Sequence, residues 1–524
     1  MNELYKKLLN YYQIDEEQYK ILTRDLTLAD IPDPYEFNGM KEAVEIAKQA
    51  IANKDKVMVY GDYDCDGIMS TSIVVKVFLK LGMKIGYYVP SRYIDGYGLT
   101  IDRAKQIVQK GYKVLITVDN GISANEPIAY CKDHGMKVII IDHHQYHDDL
   151  PNADAIVHPQ VSNFSTQATS AGYCSFIFSC ALLGKIDEYL LILGAISVIS
   201  DMMPLKNFNR DIVRLATILY EKGKYLALDL LREGDEFDYM SIGMRMAPKI
   251  NAVGRVLKTT QINRLIEFLT TDNPSMVYEI YKMVEQCNEY RKELSKNADL
   301  ELTEEESKLP GVVKVMDIQE GLIGILANKA LNTYKVPSIV FCEDSQDKDL
   351  LRGSCRAGEG FNIVKCFDEL ADILVIAGGH AFAGGLTLKK ENLEEFTKRF
   401  MKVCEEHPIV DVKEESIVIG IQDVSFETYE LIKNFSPFGE EWKAPLLEIQ
   451  NIKTSALQFS KKGEHILTPI GQNTKLVGFN MPREEVLQSD YIDMIGNVNF
   501  YIYRGSRNIQ FLTKKYRKSN INNN

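Results

Sequence analysis

Short apolar runs recur through the first 200 or so residues, each followed by a polar stretch punctuated by glycine. Val57-Met58-Val59-Tyr60 is the first, and its unbroken apolar character predicts a strand buried on both faces of a parallel sheet. Met40 to Asn53 predicts a helix leading into it, and Ile68 to Leu81 a helix leading away. Val114 to Val118 and Val138 to Ile141 predict further strands, and Ile192 to Ser200 makes a fourth apolar run. Strand–helix alternation to about residue 205 is the signature of an α/β fold with a parallel sheet.

The pattern then changes. From about 206 to 310 strand signals fade. Asn273 is placed to cap a helix with Pro274 in its first position, and Val277, Ile280, Val284 and Cys287 share one face. A long connecting helix to about Glu305 is expected. From Gly311 the alternation returns, with strands at Val312 to Val315, Ser338 to Phe341 and Ile373 to Ile376. The run Gly378-Gly379-His380-Ala381-Phe382-Ala383-Gly384-Gly385 reads as a loop where backbone can approach a ligand closely, with His380 set to meet a phosphate. From about 415, short β-runs with turns suggest a small barrel such as an OB-fold. The first thirty residues read as helical and peripheral, broken off at Ile31-Pro32-Asp33-Pro34.

The boundaries expected are a helical segment over 1–35, a catalytic α/β domain over 36–225 and a helical connector over 226–310. A smaller α/β domain over 311–405, a barrel over 410–518 and a disordered tail over 519–524 follow.

Each early apolar run delivers an acid just past its end. Asp62, Asp64 and Asp66 alternate within Gly61-Asp62-Tyr63-Asp64-Cys65-Asp66-Gly67. Asp119 opens Asp119-Asn120-Gly121, Asp142 opens Asp142-His143-His144, and Asp201 closes the fourth run. One such Asp is ordinarily a helix or turn cap. Four successive ends in a sheet that binds ligands at its carboxyl edge point instead to one site. Carboxylates crowded this way repel unless a cation neutralises them, so a divalent metal site is the first hypothesis.

Composition narrows the class. The 524 residues are 45% hydrophobic and 26% charged, an ordinary globular balance. The N-terminus is polar, and Tyr189 to Ser200, the longest apolar run, is too short to span a bilayer. Nine scattered cysteines with no Cys-x-x-Cys pair argue against a disulfide framework or zinc ribbon and for a cytoplasmic location. A net charge of −12 excludes a uniformly basic nucleic-acid coat, so any grip on a polyanion must be local. After Asp493 the chain holds Arg504, Arg507, Lys514, Lys515, Arg517 and Lys518, interleaved with Tyr501, Tyr503, Phe511 and Tyr516. That stretch is either a solubilising tail or a surface that stacks bases and tracks phosphates.

Together these motifs resemble the RecJ family of single-strand-specific 5′→3′ exonucleases in the DHH phosphoesterase superfamily. The resemblance runs from about Asp33 to Arg517. Besides the four acid motifs it includes Pro90-Ser91-Arg92 with Gly96-Tyr97-Gly98-Leu99, Asn251-Ala252-Val253-Gly254-Arg255 and Asn288-Glu289-Tyr290-Arg291. Gly353-Ser354-Cys355-Arg356 and the glycine run resemble the family's DHHA1 domain, and Pro437-Phe438-Gly439-Glu440 the lead-in to its OB-fold.

The resemblance implies two divalent ions, Mn²⁺ preferred or Mg²⁺, held by Asp64, Asp66, Asp119, His143 and Asp201. Asp62 and Asp142 would support them, Asp119 would bridge, and His144 would steady the transition-state phosphate. Arg92, Asn251 and Arg255 would grip the strand, and Ser354, Arg356, Gly378, Gly379 and His380 its 5′ end. It further implies a monomer without membrane attachment, acting on single-stranded DNA beside a single-strand-binding protein and a RecQ-type helicase. The chain departs from the family's usual Trp-His at Ile318-Gln319 and from its Gly-Asn-Pro at Glu441-Trp442-Lys443, changes that bear on substrate contacts rather than on metal ligands.

Three other classes compete. A small-substrate phosphoesterase of the same superfamily shares the chemistry but generally lacks the long connecting helix and the β-rich end. A catalytically dead single-strand-binding scaffold would have lost motif acids. An inorganic pyrophosphatase would leave residues 415–524 without a role.

Overall fold

The computed structural model describes residues 3–96, 98–146, 149–345, 347–410, 415–503 and 506–519. Tyr97, Arg504, Gly505 and Asn520 to Asn524 lie outside them. The chain divides into two compact units, one over Leu28–Val412 and one combining Met1–Thr27 with Lys413–Asn524.

In the larger unit, β1 (Val57–Tyr60), β2 (Gly86–Tyr88), β3 (Val114–Val118), β4 (Lys137–Ile141) and β5 (Ala155–Val157) form an all-parallel sheet in the order β2-β1-β3-β4-β5. Tyr60 pairs with Thr117 and Val118 with Ile141, so the three central strands finish level. This register alone brings Asp62, Asp119 and Asp142 to one edge.

Asp64 caps the helix Cys65–Lys80, its carboxylate accepting from the Gly67 N–H at 3.0 Å. The cap starts that helix three residues before the predicted Ile68, which puts Asp66 in its first turn. Gly67 is required there, since a Cβ would lie 2.4 Å from the Asp62 carbonyl oxygen. The fourth apolar run is not a strand. Glu188–Ser200 is a helix, capped by Asp187, and Asp201 stands at its C-terminal end. An unbroken apolar run fits a buried strand or a helix buried all round, and thirteen residues behind an N-cap decide for helix. It packs with Cys65–Lys80 and Ala171–Leu183, both buried on nearly every face.

The connecting helix spans Pro274–Asn297 and stops before the predicted Glu305. The chain leaves it to bury Leu300 in a second core, where the Tyr334 hydroxyl donates to the Leu300 carbonyl at 2.8 Å. There β6 (Val312–Val315), β7 (Ser338–Glu343), β8 (Leu350–Arg356), β9 (Leu374–Gly379) and β10 (Ala383–Lys389) order as β6-β7-β8-β10-β9. The glycine run is therefore a hairpin rather than a free loop: Gly378 pairs with Gly385 and Gly379 with Gly384.

In the smaller unit, β11 (Ser416–Ile419), β12 (Leu446–Lys453), β13 (Ile466–Gly471), β14 (Thr474–Gly478), β15 (Tyr491–Tyr503) and β16 (Ser506–Lys518) order as β11-β12-β15-β16-β14-β13. The N-terminal helices Glu3–Tyr11 and Glu16–Thr23 belong to this unit and are not a separate peripheral segment. Tyr12 stacks on Trp442 at 4.3 Å and on Phe435 at 5.2 Å, and its hydroxyl donates to the Lys443 carbonyl.

Candidate metal centre

Asp119 follows β3 directly in a left-handed conformation, φ 60°, with its N–H donating to the Ile141 carbonyl. The Asn120 amide fixes this bend by donating to the carbonyls of Tyr60, Gly61 and Val118. Asp66 is buried, and its two oxygens accept from the Ala171 and Gly172 N–H groups at 2.8 Å, with the Ser197 hydroxyl as a third donor. A carboxylate at a helix N-terminus is held by those otherwise unpaired donors. Asp201 has the opposite placement, since a helix C-terminus repels a carboxylate.

These elements converge. The His143 Nε2 lies 3.3 Å from an Asp119 oxygen, 3.5 Å from Asp201 and 3.6 Å from Asp66. Asp62, Asp64 and Asp119 present ligand atoms within 4.8 Å of one another, as do Asp66, His143 and Asp201, and Asp119, His143 and His144. Asp119 and His143 thus belong to two groupings each, and Asp62 enters a ligand grouping rather than standing behind one. Buried Nε2 of His143, Oδ1 of Asp62 and Oδ2 of Asp201 have no hydrogen-bond partner. Edges near 3 Å between N and O donors are those of an ion with bonds of about 2.1 Å, so the set fits one or two small divalent cations.

Electrostatics agrees. Burial, then the neighbouring Asp64, pushes Asp62 up to about 8. Burial, then Asp66 and Asp64, pushes Asp201 up to about 9. Asp66 and Asp119 rise for the same reasons, while burial lowers His143 and keeps it neutral, the form that ligates. Asp142 behaves differently. Burial would raise it, yet a hydrogen bond with His144 and the charge of that ring, helped by the Ile122 N–H, bring it down to about 2. Burial would lower His144, but the same bond, 2.8 Å long, raises it to about 9. This pair is a carboxylate and an imidazolium beside the centre. His158, unnoticed in the sequence, holds it in place by contacting the His144 carbonyl through Nε2 at 2.9 Å.

Arg92, Arg255, Arg291 and Arg356 form a second cluster. Burial, and then the charges of Arg92, Arg291 and Arg356, lower Arg255 to about 10, so the four lie within electrostatic reach. None of them makes a carboxylate ion pair among the described residues. Nε of Arg92 and of Arg291 are buried without partners. Arg92 lies 4.4 Å over the Tyr63 ring, and its charge lowers Asp62, which ties the cluster to the acid site. Arg356 donates to the Ser354 hydroxyl at 2.9 Å and pairs in register with Ala383, which brings the Gly379-His380 turn alongside. His380 itself is exposed. Asn251 is not open to a strand through its carbonyl oxygen, which accepts from the Cys65 N–H at 2.8 Å and so secures the acid loop. Arg291 was visible in the sequence only as part of a helix motif; nothing in that helix shows which residues face it across the fold.

Comparison with known proteins places this geometry. Residues 56–191 match the DHH family N-terminal domain, 309–406 the DHHA1 domain and 417–515 the RecJ OB domain. The single-stranded-DNA-specific exonuclease RecJ of Bacillus subtilis is 31% identical over 508 residues, covering 93% of this chain and 64% of that protein. The chain thus carries a DHH domain, a DHHA1 domain and a RecJ OB domain, and is similar to RecJ exonucleases over most of its length. The RecJ exonuclease of Haemophilus influenzae is 28% identical, with 81% of this chain and 80% of that one covered. RecJ from Thermus thermophilus, crystallised with Mn²⁺, superposes with a TM-score of 0.81 at 20% identity, covering 98% of this chain and 78% of that one. The RecJ fold thus extends over nearly the whole chain, which spans just under two thirds of the Bacillus relative's length.

Proposed function

We propose that the chain is a single-stranded-DNA-specific exonuclease that removes mononucleotides from the 5′ end, with two divalent ions as cofactors. The observation that carries this reading is an acid cluster with a large excess of carboxylates adjoining an arginine cluster that makes no carboxylate ion pair among the described residues. Metal ions answer the first imbalance and a phosphodiester strand the second. The names of the RecJ relatives support the substrate.

In this reading Asp64, Asp66, Asp119, His143 and Asp201 hold Mn²⁺ or Mg²⁺, with Asp62 as an additional ligand. When bound, two such ions activate water and neutralise charge developing on the phosphoryl group. The imidazolium of His144, oriented by Asp142, donates a hydrogen bond to a phosphate oxygen. Arg92 and Arg255 grip the strand beside the cut, while Ser354 and Arg356, with Gly378, Gly379 and His380 at the hairpin tip, seat the 5′ end. Asn251 positions the acid loop. The catalytic domain over 36–225 and the DHHA1 domain over 311–405 carry the site, and the β-rich domain over 410–518 binds more of the strand. A cytoplasmic monomer acting in repair and recombination, with a single-strand-binding protein and a RecQ-type helicase as partners, completes the reading on the strength of the similarity to RecJ exonucleases. Among the described residues no helix is long and apolar enough to cross a membrane.

The test is a nuclease assay with Mn²⁺ or Mg²⁺ on 5′- and 3′-labelled single strands and on blunt duplex. Metal-dependent release of mononucleotides from 5′ ends of single strands, reduced at least about 10³-fold by Asp119→Ala, is expected. Cleavage confined to short oligomers would favour the small-substrate phosphoesterase, and tight binding without cleavage the scaffold.

A further inference from the structure

The metal loop and the Ser354–Arg356 seat are carried by separate elements, and the Tyr93 side chain bridges the helices that support them. Tyr93 lies in the turn Ser91 to Asp95, one residue from Arg92. That turn is stiff: the Asp95 carboxylate accepts from the Ser91 N–H at 2.8 Å, from the Tyr88 hydroxyl at 2.9 Å and from the Arg103 guanidinium. The Tyr93 ring is buried. Its hydroxyl donates to the Arg255 carbonyl at 2.5 Å and accepts from the Gly321 N–H at 3.2 Å.

Both backbone groups are left over at helix ends. The carbonyl belongs to the last turn of Ala247–Val256 and the N–H to the first turn of Glu320–Tyr334. The N-cap residue Gln319 makes no side-chain cap of its own. A hydroxyl from another domain thus does what a cap would do. The fit is close, since a Cβ on Gly321 would lie 2.2 Å from the Arg255 carbonyl oxygen.

Each joined element leads to one half of the site. On the helix Ala247–Val256, Asn251 holds the Cys65 N–H, and a Cβ on Gly254 would lie 2.6 Å from the Tyr63 carbonyl oxygen, so this helix bears directly on the metal loop. On the helix Glu320–Tyr334, a Cβ on Gly324 would lie 3.0 Å from the Arg356 guanidinium and 3.3 Å from the Ser354 hydroxyl. Among the described residues, the one other hydrogen bond between these two helix ends runs from the Arg255 guanidinium to the Gly321 carbonyl, at 3.3 Å.

We infer that the Tyr93 hydroxyl is a positioning group that fixes the spacing between the metal loop and the Ser354–Arg356 seat, and thereby the length of strand removed at each cut. This rests on the exonuclease reading, in which the seat holds the 5′ terminus. Product length is then the separation of two sites on different helices, and a slack joint lets the seat slide relative to the cut.

Tyr93→Phe removes the hydroxyl and keeps the ring. The full chain and this variant are compared with Mn²⁺ on strands bearing a 5′-phosphate or a 5′-hydroxyl, products are resolved by length, and melting is followed alongside. The wild type is expected to release single nucleotides. The variant is expected to release dinucleotides as well, with KM for the 5′-phosphorylated strand up about ten-fold, KM for the 5′-hydroxyl strand unchanged and kcat within about three-fold. Gly321→Ala pushes on the same joint from the other helix and should shift product length likewise, which settles the matter if the first variant folds poorly. Single nucleotides from both variants with an unchanged KM ratio would overturn the inference while leaving the exonuclease reading intact. A wild type that cuts no strand would overturn both.

Discussion

The acid centre and the arginine cluster are opposites built by the same means. At the centre, burial and the neighbouring carboxylates raise Asp62, Asp66, Asp119 and Asp201 by more than the nearby cations offset. At the cluster, burial and mutual repulsion lower Arg255, and burial lowers Arg291 and Arg356. Elsewhere the same fold pairs its buried charges. Lys249 is buried against Glu233 and Glu285, each at 2.8 Å, with the Tyr281 hydroxyl close by. Unbalanced charge is therefore local, and it occurs in adjoining regions of opposite sign. A buried charge without a partner destabilises a fold, so each region marks where a ligand of opposite sign is needed.

The largest effect that tests this contrast is on the acid side. Mn²⁺ at a hundredfold excess over its Kd should stabilise the wild type by about 2.7 kcal/mol in thermal unfolding, and Asp119→Ala should abolish the gain. Equal stabilisation of both proteins would show that the acids do not act as one site. The arginine side should respond next. Arg356→Ala is expected to raise KM for 5′-phosphorylated strands about ten- to hundred-fold. Arg291→Met removes a half-buried cation without exposing an acid, so it should weaken strand binding yet stabilise the strand-free protein by at most about 1 kcal/mol. A destabilised Arg291→Met would reveal a partner and break the symmetry of the comparison.

The smallest effect belongs where charge is already paired. Burial would raise Asp154, but hydrogen bonds from Lys132, Lys137 and the Val138 N–H hold its carboxyl below the ordinary range. A depressed folded value contributes stability above the unfolded carboxylate pKa of about 3.9, and that contribution is lost as pH falls through the folded value. Asp154→Asn should flatten the acid side of the melting profile by at most about 2 °C and leave it unchanged at pH 7 and above apart from a constant offset.

Much of the acid edge was legible in the sequence for a mechanical reason. An apolar run buried on both faces has few alternatives, and parallel strands in register finish level, so an Asp just past Tyr60, Val118 or Ile141 must share an edge with the others. Asp201 reached the same place by another route, because an apolar run of that length folds as a buried helix. What the sequence hid are contacts made across the fold. Ser197 and the N–H groups of Ala171 and Gly172 hold Asp66 from more than a hundred residues away, and His158 acts only through a backbone carbonyl. Asn251 has the composition of a strand contact and the position of a brace, a distinction that only packing makes.

The stacking of Tyr12 on Phe435 and Trp442 has a consequence for synthesis. The Leu28–Val412 unit is continuous in sequence, so it can fold as the ribosome delivers it. The helices Glu3–Tyr11 and Glu16–Thr23 are made before it, but the aromatic partners of Tyr12 lie more than four hundred positions later. At ordinary elongation rates that interval is roughly 20–90 seconds. Through it Tyr12 waits for Phe435 and Trp442, and the smaller unit closes only after the whole of the larger one has been made.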